Sequence, residues 1–259
     1  MKTAAEWDAF FDGRSPGCYN DADFRRIEAT APVEALEAYA RFVTMRSMSD
    51  EYANHVRQVV PYVLGRLTAS AKVGEINRNC FAVSMALLET LEKAGVWVFG
   101  LTGSARFRFP QGSGLEDQFF YATDSAASGH RAGHAWLVAP PFNVIDATAH
   151  FQGWRGAEAT FLPQWIAVER AVRVPFDPSL HWPGMRPGSS RPVDLRGFST
   201  TFPTVEIAID RATILYQPHG VTVPAEPLVE SGLVLGERSA QQFVDEEILP
   251  GLPREGTHR

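Results

Sequence analysis

The chain has 259 residues, 45% hydrophobic, 11% aromatic and 21% charged, with a formal net charge of -6. Those proportions belong to folded globular proteins and exclude wholesale disorder, collagen and coiled-coil architectures. The acidic balance, with no stretch in which dense basic residues interleave with aromatics, excludes an extended nucleic-acid face.

Membrane and secreted readings fall next. No stretch reaches the roughly 20 apolar residues of a spanning helix. The run from Ala132 to Ile145 stops short and is interrupted by His134, Pro140, Pro141 and Asn143. Glu6 and Asp8 stand where a secretory signal would place its apolar core, and Cys18 and Cys80 are too few for a disulfide scaffold. The expectation is a cytoplasmic protein with free thiols and no membrane partner.

In chain order, residues 1–30 are weakly patterned, with Trp7, Phe10 and Phe11 as docking side chains. From Pro32 a helical period appears through Leu36, Tyr39, Ala40 and Val43. A second begins at Ser49 or Asp50 and runs through Tyr52, Val56, Val59, Val63 and Leu67, with Pro61 expected to kink or divide it. Asn77-Arg78-Asn79-Cys80 opens a third, carrying Val83, Leu87, Leu91 and Ala94 to a terminator at Gly95; either Asn can cap it. The period then changes to strands at 96–99, 105–109, 118–122, 133–139 and 142–148. A cysteine-bearing helix followed by antiparallel strands reads as α+β.

The segment 110–131, with Gly, Ser, Glu116, Asp117 and Asp124, reads as a surface loop, with a lid as the alternative. Residues 177–203 are a Pro/Gly-rich connector, and 204–259 add strands around Val205–Ile209 and Ile214–Tyr216 and a short acidic helix from Ser239. The organisation is therefore 1–176 as a helical N-terminal region plus a mixed core, the connector, and a C-terminal part that either completes the same sheet or forms a subdomain.

Nucleotide-binding glycine loops, the serine-hydrolase elbow and the zincin motif are all absent. Cys80, in the first turn of a helix, would lie near unsatisfied backbone N–H groups and the positive dipole end, which favours thiolate. Cys18, in Ser15-Pro16-Gly17-Cys18-Tyr19, has no such setting. His134 falls on a strand in Gly133-His134-Ala135-Trp136, and Asp146 follows in Val144-Ile145-Asp146-Ala147-Thr148. An acid in an apolar strand needs a partner. The two positions are symmetric about Pro140, so a turn with an odd number of residues there sets His134 opposite Asp146 on one face. A two-residue turn throws them to opposite faces.

Asn79-Cys80 opening a helix, then Gly133-His134-Ala135-Trp136, then Ile145-Asp146-Ala147-Thr148, resembles the transglutaminase-like branch of the papain-like cysteine protease superfamily over about residues 70–150. Arylamine N-acetyltransferases share the order of the three residues, but their Arg-Gly-Gly run before the cysteine is absent; the leader peptidases of lasso-peptide pathways look similar around cysteine and histidine. The resemblance implies a papain-like/transglutaminase-like core, a nucleophile at Cys80, a general base and acid at His134 and an orienting carboxylate at Asp146. It implies thiol-dependent acyl transfer, most simply hydrolysis of a peptide or amide bond in a peptide, protein or small amide substrate, with transfer to an amine as the variant. Asn77, Asn79 and Trp136, with Trp154 behind them, are candidates for oxyanion or substrate contacts; His130 reads as a loop residue. No cofactor and no metal are expected. Two readings stand against this one: a zinc-dependent hydrolase using Cys80, His134 and Asp146 with His130 or His150 nearby, and a non-catalytic binding protein that keeps the fold.

Overall fold

The computed structural model describes residues 3–70, 79–121, 133–180, 198, 200–225, 227–230, 233–235 and 237–253. The N-terminal region is more ordered than its weak patterning suggests. Helix α1 (Ala4–Phe11) opens with a capping box: the Thr3 hydroxyl accepts from the Glu6 N–H, and the Glu6 carboxylate accepts from the Thr3 N–H at 2.6 Å. Its Trp7 and Phe11 are buried, and together with Phe24 of α2 (Ala22–Glu28) they dock on Tyr39 and Phe42 of α3 (Pro32–Met45). Of the two outcomes expected at Pro61, a kink or a division, the division does not occur: helix α4 (Asp50–Ser70) is continuous through it. The carbonyl that Pro61 deprives of a donor belongs to Arg57, an exposed residue, so water can serve it while Val56, Val59, Val60 and Val63 keep the opposite face buried. Helix α5 (Cys80–Lys93) packs against α4 and lies on strands β3 and β1 of the sheet.

All the strand pairings are antiparallel. The main sheet runs in the order β5 (Ile166–Val168), β4 (Phe142–Asp146), β3 (His134–Ala139), β1 (Phe99–Arg108), β8 (Ala212–Thr222), β7 (Val205–Ile209), β6 (Val172–Arg173), and β2 (Gln118–Phe120) is also paired to β1. The fold class is thus α+β. The strands of 204–222 complete this sheet, since β8 is paired with β1 from Gly100 to Arg108. Ser239 caps the short C-terminal helix, Ala240–Phe243, with a second capping box through Gln242. No helix among the described residues is long and apolar enough to cross a membrane. Most of the connector, 181–197, lies outside the described residues, as do 122–131 of the loop and the segment 71–78.

The two strands expected at 96–99 and 105–109 are one strand, β1, because Gly100 and Gly103 are not turn residues. Both are buried in the sheet, where neighbouring groups come too close for any side chain. A Cβ on Gly103 would collide with the Gln217 carbonyl and Pro218 of β8, and one on Gly100 would meet Thr222 at 2.7 Å. A register shift between Thr102 and Gly103 accommodates this close approach. Strands β3 and β2 lie along the same edge of β1, the first against Phe99–Gly103 and the second against Ala105–Phe107. His134, paired with Gly103, is therefore the residue at which the chain rejoins the sheet.

The β3–β4 hairpin departs from the expected odd-residue turn. Ala139 pairs with Phe142, so the turn is the two residues Pro140 and Pro141, joined by a cis peptide bond. Taken alone, that turn would place Asp146 opposite Ala135, facing away from His134. The next pair, however, is Leu137 with Ile145: Val138 on β3 stands against both Asn143 and Val144 on β4. This bulge moves the register by one residue and returns Asp146 to the face of His134.

Two predictions follow from the packing. Gly103→Ala should destabilise the protein by about 1–3 kcal/mol in chemical denaturation, the usual cost of forcing atoms into a filled site. At the far end of α5, the Glu92 carboxyl accepts from Tyr19 Oη at 2.6 Å and Tyr39 Oη at 3.3 Å, and burial raises its pKa to about 8. A folded pKa above the unfolded value means stability is greatest below the unfolded value and lost as pH rises through the folded one. The thermal midpoint should therefore decline from about pH 4.5 to about pH 8, and Glu92→Gln should flatten that decline.

Candidate functional site

Three of the residues singled out in the sequence come together where α5 begins, beside the β3–β4 hairpin. Cys80 is the first residue of α5 and half-buried, with Asn79 in the N-cap position. The Asn79 side chain makes no capping bond, so the helix start is not held the way the sequence suggests. One turn further on, Ser84 Oγ donates to the Ala135 carbonyl at 3.3 Å, pinning the helix beside the start of β3. His134 and Asp146 are the first residue of β3 and the last of β4, and neither side chain has any solvent exposure.

Burying both groups is tolerable only because they are paired and hydrogen-bonded. His134 Nε2 is 2.6 Å from Asp146 Oδ2. Tyr216, on β8, donates its hydroxyl to the same oxygen at 2.9 Å. The other oxygen, Oδ1, accepts from the Thr148 N–H at 2.7 Å, the Thr148 hydroxyl at 3.0 Å and the Ala149 N–H at 3.0 Å. Burial alone would raise the Asp146 pKa, but the charge and hydrogen bond of His134, with the bonds from Thr148 and Tyr216, hold it below the usual carboxylate range. Burial alone would likewise lower the His134 pKa. The Asp146 charge and hydrogen bond, then Cys80, override it and keep the imidazole pKa above its ordinary value.

With Nε2 engaged by Asp146, the nitrogen left for Cys80 is Nδ1. It is buried and has no partner of full hydrogen-bond geometry. Cys80 is nevertheless among the groups that favour the protonated ring. The ring is also walled by aromatics, with centroids of Phe107 and Phe120 at 6.0 Å, Tyr216 at 5.9 Å and Trp136 at 6.3 Å. Such an imidazole has one fixed tautomeric anchor and one nitrogen facing a thiol. Chemically it can hold a proton for a thiolate and deliver it to a leaving group.

The remaining candidates fall elsewhere. Asn77 and His130 lie outside the described residues. Trp136 is buried on β3, packed against His134 and, at 5.0 Å, against Tyr216. Trp154 spends its indole N–H on the Ala149 and His150 carbonyls, so it is not a free donor. His150 is bonded through Nδ1 to the Leu162 carbonyl. Among the described residues, no three His, Cys, Asp or Glu side chains converge as a metal ion would require. Cys18 is buried, its thiol pushed up to about 12 mainly by burial and then by Asp21.

Two participants were missed in the sequence. Thr148 had a local signal: an Asp with a Thr two residues on forms a side-chain-closed turn in which carboxylate and hydroxyl meet. Tyr216, 70 residues from Asp146 along the chain, had none. No protein-family model matches this chain, and no curated protein or solved structure is significantly similar to it.

Asp146→Asn should cost about 3–5 kcal/mol, the effect of removing one partner from a buried charge pair. The pH dependence follows from the two shifts. His134, raised, contributes fully below its unfolded value and is lost as pH rises through the folded one. Asp146, lowered, contributes above its unfolded value and is lost as pH falls through the folded one. Denaturation of the wild type across pH should show both losses, and Asn at 146 should remove both.

Proposed function

We propose that this chain is a thiol-dependent acyl-transfer enzyme in which Cys80 is the nucleophile, His134 the general base and acid, and Asp146 the carboxylate that orients the imidazole. The observation that carries this reading is the buried His134 ring, anchored at Nε2 by Asp146 while the unpartnered Nδ1 is left to Cys80 at the start of a helix. The order of the three residues and their helix-then-hairpin setting favour a papain-like core of the transglutaminase-like branch.

On this reading the Cys80 thiolate attacks the carbonyl carbon of an amide, forming the C–S bond as the carbonyl electrons move to oxygen. The imidazolium of His134 gives its proton to the departing nitrogen, and a thioester remains. Water then attacks the thioester while His134 takes its proton, releasing a carboxylic acid and the thiolate. An amine in place of water gives a new amide. Hydrolysis of a peptide or amide bond is the simpler outcome, since water needs no second binding site. The N-terminal end of α5 is suited to stabilising the developing oxyanion through backbone N–H groups.

Alkylation by iodoacetamide tests the nucleophile. At about pH 6, Cys80 should react at least tenfold faster in the wild type than in His134→Gln, a side chain that can still donate to Asp146 but cannot take up a proton. Buried Cys18 should stay unlabelled in both. Release of amine from a peptide and amide panel should disappear in Cys80→Ala. Equal alkylation of Cys80 in wild type and variant would refute the reading.

A further inference from the structure

We propose that Tyr216 is a positioning residue of the candidate site: its hydroxyl, shared with His134 on one carboxylate oxygen, sets how strongly Asp146 holds the imidazolium. The inference rests on the catalytic reading above for its consequence in reactivity, but the interaction itself stands on geometry.

Tyr216 and His134 belong to strands on opposite sides of β1. Tyr216 pairs with Ala105 and His134 with Gly103, positions that share one face of β1 with Phe107. Because the side chains between them are a methyl group and a hydrogen, the tyrosine can lie across β1 and reach the carboxylate on β4. Its ring is buried, 5.9 Å from the His134 ring and 5.0 Å from that of Trp136. Asp146 does not need this bond to be held in place, since Thr148 and Ala149 supply three donors to Oδ1. The tyrosine bonds instead to Oδ2, the oxygen that faces His134. A donor there draws charge away from the histidine contact, and so moderates the hold on the imidazolium.

The charged and titratable groups that meet this network are few. Cys80 comes from α5, Asp146 from β4 and His134 from β3. Arg106 and Arg108 point to the other face of β1, where they pair with Asp117 and Glu206. A change at Tyr216 is therefore felt first by the Asp146–His134 pair.

The test uses the full chain with Tyr216→Phe, which keeps the ring and removes the hydroxyl. The His134 C2–H titration is followed by NMR, and Cys80 alkylation is followed against pH. Without the hydroxyl, Asp146 binds its proton partner more tightly, so both the alkaline loss of the imidazolium and the acid protonation of the carboxylate should move up. A bond to a charged group predicts a shift of about one pH unit. Fluorotyrosine at 216, a stronger donor, should move both limbs down, and it serves alone should the phenylalanine variant not fold. Limbs unchanged in the substituted protein, even with a lower melting temperature, would overturn the proposal and leave Tyr216 as packing only. The NMR arm is independent of thiol chemistry. An unreactive Cys80 in the wild type would sink the enzyme reading while leaving the titration shift to decide this one.

Discussion

A carboxylate with no access to water must find its solvation within the protein, and Asp146 finds five donors from four residues. Much of the local architecture answers that demand. The turn after β4 bends back so that Thr148 and Ala149 can offer their N–H groups, β3 presents His134, and β8 lies close enough for Tyr216. Any one donor is worth little net free energy, but an ion left short of donors in the interior costs several kcal/mol. The cluster ties three strands to one atom pair.

The geometry that meets the demand depends on a single extra residue. Alternation in a strand is binary, so a tight Pro140-Pro141 turn and a productive Asp146 are incompatible unless something shifts the register. The bulge at Asn143 and Val144 does so, and Asn143 is the one exposed residue of an otherwise buried strand. Glycines play the complementary part in β1, where they let β8 approach to a distance that no side chain would permit. Irregularities of the sheet, more than its regular ladders, bring the functional groups together.

Much of this was legible in the residues and some was not. Helical period and caps located α3, α4 and α5, and the pattern of an acid among apolar residues pointed to a buried partner for Asp146. The pairing of His134 with Asp146 came from symmetry about Pro140, yet the geometry assumed for it, an odd turn, is not the one found. Parity was restored by a bulge, and bulges leave no periodic trace because Asn143 and Val144 look like any alternating pair. The single strand β1 reads as two, at 96–99 and 105–109, because the glycines between them carry no apolar period, although both are buried in the sheet. Tyr216 was invisible for a different reason: its partner is set by strand order, which depends on the whole sheet and on nothing local. Thr3-x-x-Glu6, by contrast, was a readable cap that the weak pattern around it obscured.

The order of strands has a consequence for how the chain acquires its chemistry during synthesis. Cys80, His134 and Asp146 leave the ribosome well before residue 216, yet β1, on which β3 rests, finds its long partner only in β8. A nascent chain ending before that strand holds the three residues without the neighbour that covers β1 or the hydroxyl that finishes the carboxylate's solvation. The set of donors around Asp146 is thus complete only with the last long strand among the described residues, and a truncated product has Cys80, His134 and Asp146 without their assembled interior.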